Sequence, residues 1–162
     1  MRGIKRAVMT MLLGMTVGAA ALPDYQTLCS ALAEMPGWTA EEKCDGMKMA
    51  GPMGEIVTAT RIFRQGDATL EVAVMSGMQA AMAWSTFATG VEMESDEALM
   101  KTRKMGEFNV GISYDKKEHS GGIVVRLASN AVLVGSFENM EWEKALEALK
   151  SLDWEKLAAL FR

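Results

Sequence analysis

The most informative stretch of the chain is residues 55–75, EIVTATRIFRQGDATLEVAVM. Its first half is rich in β-branched and aromatic residues, which favour extended strands. The letters QGD then provide a turn, and the second half places Leu70, Val72 and Val74 at alternate positions, which puts them on one face of a strand. Two such runs joined by a short turn predict an antiparallel β-hairpin.

The segments on either side of this hairpin predict two helices. Residues 23–38, PDYQTLCSALAEMPGW, are typical of a short N-terminal helix that ends at Pro36-Gly37. Residues 76–90, SGMQAAMAWSTFATG, combine methionine and alanine at helical spacing, and Gly90 is a candidate C-cap. Residues 91–107 are polar and mixed, and they predict a short helical turn followed by an extended piece.

Three further strands and a last helix complete the pattern. Residues 107–115, 122–128 and 131–137 alternate or run apolar over strand-like lengths. Residues 139–162 have an apolar helical face, and Asp153 caps a final turn or two. Short connections favour an α+β fold, with a mostly antiparallel sheet and an N-terminal helix, a middle helix and a C-terminal amphipathic helix packed on it.

The first residues, MRGIKRAVMTMLLGMTVGAAALPDYQ, are typical of a secretory signal peptide. Three basic residues precede an apolar stretch, and small alanines follow it. The alternative is an uncleaved membrane anchor, for which the apolar stretch is short. The sequence therefore predicts a signal peptide over residues 1–21 and a single domain over residues 22–162, in a periplasmic or secreted protein.

The charge of the predicted mature chain excludes two classes of partner. Without the signal, 14 Lys and Arg stand against 21 Asp and Glu, a net charge of −7. Nucleic acids and anionic lipids both require clustered Lys and Arg against phosphate. We therefore expect no nucleic-acid partner, and no membrane association after signal cleavage.

The chain has two cysteines, Cys29 and Cys44. In an oxidising compartment an even pair predicts a disulfide, which ties the first helix to the segment that follows. The alternative is a pair of thiolate metal ligands, but the usual C-x-x-C spacing and nearby histidines are absent from the sequence.

Residues 41–55, EEKCDGMKMAGPMGE, place Met47, Met49 and Met53 close together. Thioether sulfur is a soft ligand that suits Cu(I), and Met47 and Met49 share one face if they lie on a strand. The alternative is that these methionines fill gaps in a core. Methionine is spread through the other elements as well, and this favours packing and no cofactor, with copper as the alternative.

The sequence offers little to support catalysis. The single histidine, His119, lies in the charged turn KKEHSGG, and we expect it to be a surface residue. A nucleophile requires a base that is oriented by a third group, and none of the common catalytic motifs occurs. These observations favour a protein that is not an enzyme.

A resemblance supports the same conclusion. The signal, PGW at 36–38, the hairpin TRIFRQGDATLEVAV and the tail LDWEKLAAL together resemble small exported bacterial proteins of unknown function. Their layout is similar to the PsbP-type α/β/α sandwich. The resemblance implies an accessory or binding role, and no functional residue is carried over from it. We expect a protein partner to bind through the sheet face or the C-terminal helix.

Overall fold

A computed structural model describes residues 21–162 of the chain. The predicted signal peptide, apart from Ala21, lies outside the described residues. The helices in this part of the chain are α1 (Tyr25–Ala31), α2 (Met78–Ser85), α3 (Trp142–Lys150) and α4 (Trp154–Ala159). The strands are β1 (Thr39–Ala40), β2 (Asp45–Gly51), β3 (Gly54–Gln65), β4 (Ala68–Ser76), β5 (Met93–Glu94), β6 (Ala98–Met105), β7 (Phe108–Asp115), β8 (Ser120–Ala128) and β9 (Ala131–Glu138).

All the strands join one open antiparallel sheet, with the order β1-β3-β4-β9-β8-β7-β6-β5. Strand β2 also pairs with β3, so that β1 and β2 follow one another along the same edge of β3. The chain reaches the far side of the sheet after α2 and returns strand by strand until β9 pairs with β4. The predicted α+β class with a mostly antiparallel sheet is confirmed.

The hairpin predicted from residues 55–75 forms as β3 and β4. Its register runs from Thr58 opposite Met75 to Gln65 opposite Ala68, which leaves Gly66 and Asp67 in the loop. Gly66 has a φ of 61°, a left-handed conformation that a two-residue hairpin turn requires and that glycine adopts without strain.

The larger core lies on one face of the sheet, under α1, α3 and α4. Alternation along the strands directs one set of side chains to this face, including the fully buried Phe63, Leu70 and Ile123. Leu28 from α1 and Leu149 from α3 are also fully buried there. This face buries most of the apolar area that drives folding.

A smaller core lies on the opposite face, under α2. Ala80, Phe87, Val124 and Val132 are its buried members. Residues Ile123 and Val124 are neighbours on β8 that point to opposite faces, so both faces of the sheet are covered in part.

Two predictions for the middle of the chain are wrong. Residues 91–107 contain no helical turn; they form β5 and β6, because Leu99 enters the larger core and β6 pairs along β7. Helix α2 ends at Ser85 and does not continue to Gly90. The chain turns there so that Phe87 can pack over Gly111, where an added Cβ would lie 2.2 Å from the phenyl ring.

The predicted disulfide is present between Cys29 and Cys44, and it links α1 to the segment just before β2. Among residues 21–162, no helix is long and apolar enough to cross a membrane.

Candidate functional site

The described part of the chain exposes an unusual set of apolar side chains. Their exposed fractions range from 44% for Met47 to 81% for Met53. Six of the seven large side chains in this set are methionines: Met47, Met49, Met53, Met78, Met82, Val91 and Met93. Single exposed apolar residues are common on proteins, and larger apolar patches are typical of interaction sites. The members of this set are spread across the sheet, from β2 at one edge to β5 at the other.

The sheet register places most of these residues on the side of the sheet that carries α2. Met75 packs in the smaller core under α2 and lies opposite Thr58 on β3. Thr58 in turn lies opposite Met47 on β2, and directly paired residues share one face. Met49, two residues further along β2, therefore faces the same side, and it pairs with Ile56.

The start of α2 lies beside the paired strands β2 and β3. An added Cβ on Gly77 would lie 3.1 Å from the Glu55 carbonyl oxygen and 3.4 Å from the Ile56 side chain. Beyond the other end of the helix, Met93 pairs with Met100, which packs against the smaller core. We call the seven exposed residues, together with the solvent-facing side of α2, the α2 surface.

Helix α2 lacks the charged outer face of an ordinary surface helix. Ala80 is its only buried residue, and Met78 and Met82, one turn apart, point to solvent. From Val72 to Val91 the chain contains no charged residue at all. A surface helix usually carries charged residues on its outer face, so the uncharged outer face of α2 requires another explanation. Its exposed residues are Met78, Gln79, Ala81, Met82 and Ser85.

Helix α3 provides the comparison within the same protein. Its inner face is buried, and its outer positions are all charged. These are Glu143, Lys144, Glu147 and Lys150. The chain therefore builds a normal solvated helix on one face of its sheet and an uncharged helix on the other.

Acidic residues border the α2 surface. Glu92 and Asp96 flank the exposed Met93, and Glu55 precedes Ile56 at the start of β3. All three are exposed, and none has a salt bridge within residues 21–162. The two remaining acids of this segment, Glu94 and Glu97, pair with lysines. Within the described part of the chain the border therefore carries three unpaired acids, and one exposed base lies beside α2, because the Arg126 guanidinium is 5.9 Å from the centre of the Trp84 ring.

A second cluster, which sequence reasoning missed, joins β7, the turn before β8 and the start of α3. The Tyr114 hydroxyl donates to Glu141 Oε2 at 2.7 Å. The His119 Nδ1 lies 3.0 Å from both the Tyr114 hydroxyl oxygen and Glu141 Oε1. Because the single hydroxyl proton goes to Glu141, Nδ1 makes both contacts only when it carries a proton.

The surroundings of this cluster are polar and open. It borders a cavity of about 440 Å³, which Lys101, Lys116 and Trp142 also line. The Lys101 ammonium lies 4.1 Å from the centre of the Trp142 ring, as in a cation–π contact. The described residues that line the cavity include no serine or cysteine.

The cluster has a clear electrostatic consequence. Burial raises the pKa of Tyr114 to about 12, and the hydrogen bond to Glu141 and the negative charge of that carboxylate add to the effect. The folded protein therefore favours the neutral phenol, which anchors the first turn of α3 to the sheet.

We expect a Tyr114→Phe variant to reveal this anchor through pH. The pKa of Tyr114 is higher in the folded protein than in the unfolded chain, where it is near 10. The neutral phenol therefore stabilises the fold fully below pH 10, and this stabilisation is lost as the pH rises towards about 12. At neutral pH the variant should lose about 1 kcal/mol through its missing hydrogen bond. Urea unfolding of both proteins should show this difference shrink between about pH 10 and 12. Parallel stability curves across that range would contradict the assignment.

No family model, curated protein or solved structure matches this chain. The resemblance to the PsbP-type layout therefore stays a prediction.

The structure places the candidate residues from the sequence as follows. Cys29 and Cys44 form a disulfide and do not act as free thiolates. Met47, Met49 and Met53 are exposed, so the expectation that they fill the core is wrong. The physical reason is that β2 lies outside β3 at an edge of the sheet, where α2 does not cover its methionine face.

Burial also places two aromatic residues of the C-terminal helices and His119. Trp142 and Trp154 are buried in the larger core. The His119 side chain is exposed, as expected, but it is not isolated, because Tyr114 and Glu141 hold it. The one signal of this cluster in the sequence is the alternation along β7, which places Tyr114 on the inward face.

Proposed function

We propose that this chain is an exported binding protein, which acts by docking an apolar and basic segment of a partner protein onto the α2 surface. The observation that carries the proposal is the outer face of α2, which exposes Met78 and Met82 and has no charged residue. Burial of this face against a partner removes apolar surface from water, and this stabilises the complex.

Export is the part of the proposal that rests on the N-terminus and the cysteines. The sequence of residues 1–21 is typical of a signal peptide. The disulfide between Cys29 and Cys44 suits an oxidising compartment. A bacterial periplasm is the compartment that we propose, with no catalytic role for the protein there.

Methionine suits a surface that binds partners of variable shape. Its unbranched side chain and polarisable sulfur adapt to irregular apolar partners, and methionine is enriched at adaptable interfaces. Six exposed methionines therefore point to adaptable apolar docking. A rigid pocket for one small molecule would require enclosed walls, which an open sheet side does not provide.

The charge of the border selects the kind of partner. Glu55, Glu92 and Asp96 lie exposed beside the apolar residues, and the predicted mature chain has a net charge of −7. Opposite charges at the rim of an interface accelerate encounter and set its orientation. An amphipathic segment with basic residues beside its apolar face fits this arrangement.

The test uses a synthetic amphipathic helical peptide made of leucine and lysine. We expect the mature protein to bind it, and a Met78→Gln/Met82→Gln variant to bind roughly tenfold more weakly, since each side chain loses apolar burial of about 0.7 kcal/mol. The measurement is fluorescence anisotropy of the labelled peptide. Glutamine keeps the length, helix propensity and neutral charge of methionine.

A control variant introduces glutamine at two exposed positions on the other side of the molecule. Ala33 and Ala159 are exposed near α1 and α4, and an Ala33→Gln/Ala159→Gln variant should bind like the wild type. Equal affinity of all three proteins, or no binding by the wild type, would overturn the proposal. So would a dimer that the Met→Gln change disperses, or co-sedimentation with phosphatidylcholine vesicles that depends on these methionines.

A second candidate function is periplasmic Cu(I) binding. The observation that favours it is that Met47 and Met49 share one face of β2, and that both, with Met53 at the hairpin tip, are exposed and accessible to a soft cation. Leucine at these three positions separates the two functions, because it removes thioether sulfur and keeps the apolar surface. Loss of Cu(I) in competition with a chelator, with peptide binding unchanged, would support copper as the ligand.

A further inference from the structure

The eleven methionines of residues 21–162 fall into three groups by exposure. Six are exposed, and all six belong to the α2 surface. Met35 and Met140 are 3% and 5% exposed and lie in the larger core on the other face of the sheet. Met75, Met100 and Met105 are half-buried. Solvent access is what sets the susceptibility of a thioether to oxidation.

No thiol in the chain competes for an oxidant. The sequence contains two cysteines, and both are held in the disulfide. Thiolates react with peroxides before thioethers do, so a protein with a free cysteine would be modified there first. Among residues 21–162 the exposed thioethers are therefore the most accessible reduced sulfur.

We propose that the α2 surface is a site of reversible methionine oxidation, and that sulfoxide formation switches docking off. This inference rests on the proposed function, because it concerns regulation of the same surface. The oxidant is a peroxide. The thioether sulfur attacks one peroxide oxygen, a sulfur–oxygen bond forms and the oxygen–oxygen bond breaks, and with hydrogen peroxide the other oxygen leaves as water. Sulfur is oxidised by two electrons and the peroxide is reduced by two.

The consequence for docking follows from the chemistry of the product. A sulfoxide is polar and accepts hydrogen bonds, so it opposes burial of the surface against an apolar partner. Because the segment from Val72 to Val91, which contains α2, has no charged residue, its exposed apolar area depends heavily on its methionines. Reduction by a dithiol enzyme returns the thioether, with a disulfide and water as the other products.

The location of the six methionines makes the change local. They lie on the α2 surface, whereas the larger core holds its own two methionines under α1, α3 and α4. Oxidation of the exposed set should therefore leave the fold and the disulfide intact. The protein would lose its partner without unfolding.

The test treats the mature protein with hydrogen peroxide and maps oxygen addition by peptide mass spectrometry over time. We expect Met47, Met49, Met53, Met78, Met82 and Met93 to gain oxygen before Met35 and Met140. Binding of the leucine–lysine peptide should weaken roughly tenfold as the exposed set is modified. Far-ultraviolet circular dichroism should not change.

Leucine variants give the decisive control, since leucine is apolar, similar in volume and inert to peroxide. In a variant with leucine at all six exposed positions, the affinity for the peptide should be the same after treatment as before it, whatever the starting affinity of that variant. A simpler variant, Met78→Leu/Met82→Leu, should lose a smaller fraction of its own affinity on treatment than the wild type loses, and it serves as the control if the sixfold variant folds poorly.

The outcomes separate this inference from the proposed function. If the untreated protein binds the peptide and the oxidised protein binds equally well, the switch is wrong and the docking function stands. If the untreated protein does not bind, both are wrong. Equal rates of oxidation at the exposed and buried methionines would overturn the inference, as would loss of binding by the peroxide-treated sixfold variant.

Discussion

A Cys29→Ser/Cys44→Ser variant should lose about 3 kcal/mol of the free energy of unfolding, because the disulfide closes a loop across a sequence separation of 15 residues. The bond restricts the unfolded chain, so its removal returns loop entropy to that state. The measurement is urea unfolding of the variant beside the oxidised wild type. Wild type unfolded in the presence of a reducing agent should match the variant.

The structure explains why this loss should also be local. Helix α1 spans only seven residues, and a helix of that length is marginal without tertiary support. Leu28 and Leu32 are fully buried beneath it, and Cys29 joins it to the edge of the sheet. Hydrogen exchange should therefore accelerate first in α1 and β2 when the disulfide is absent. A stability loss below about 1 kcal/mol with unchanged exchange would contradict this role.

Substitution of Gly121 by alanine should lower the free energy of unfolding by about 3 kcal/mol or more. This is at least as large as the greatest losses that overpacking a protein core usually causes. A Cβ at this position would lie 2.0 Å from the Ser113 carbonyl oxygen and 3.0 Å from Tyr114 Cα. Both atoms belong to the backbone of β7, which pairs with β8, so no side chain can rotate away to make room. The two strands must separate, and the ladder between them weakens.

The adjacent glycine supplies a matched control for this prediction. A Cβ on Gly122 would have the Gly135 carbonyl oxygen, at 3.9 Å, as its nearest neighbour, which is ordinary contact. A Gly122→Ala change should stay within about 0.5 kcal/mol of the wild type. Thermal and urea unfolding of the two variants give the comparison. Similar stabilities for both variants would contradict the prediction, because they would show that β7 can move away from residue 121 at little cost in free energy.

Local pattern predicted the elements whose side chains alternate in polarity. The hairpin of residues 55–75 was visible because its β-branched residues and its glycine turn agree with the period of a strand. The strand formed by Ala98–Met105 was harder to see, because it carries three basic residues, Lys101, Arg103 and Lys104, and sits near the edge of the sheet. Tertiary pairing with β7 imposed the strand where local propensity was weak.

The candidate site shows the same division. Sequence spacing brought Met47, Met49 and Met53 together, but composition suggested that they would be buried. Whether a methionine fills a core or faces solvent depends on what covers its strand, and the covering helix α2 stops short of β2. The Tyr114–His119–Glu141 cluster joins residues up to 27 positions apart, and only the packing of α3 on the sheet brings them into contact.

The sequence by itself determined the α+β class, the hairpin, the cysteine pair and the excess of acidic charge, because each depends on residue type or on spacing over a few residues. The tertiary structure alone decided which side of the sheet stays exposed, why six methionines share it, and how Tyr114 meets Glu141. These features depend on which strands become neighbours and which helix covers them. Such long-range pairings depend on the burial of the whole core, and no local sequence pattern predicts them.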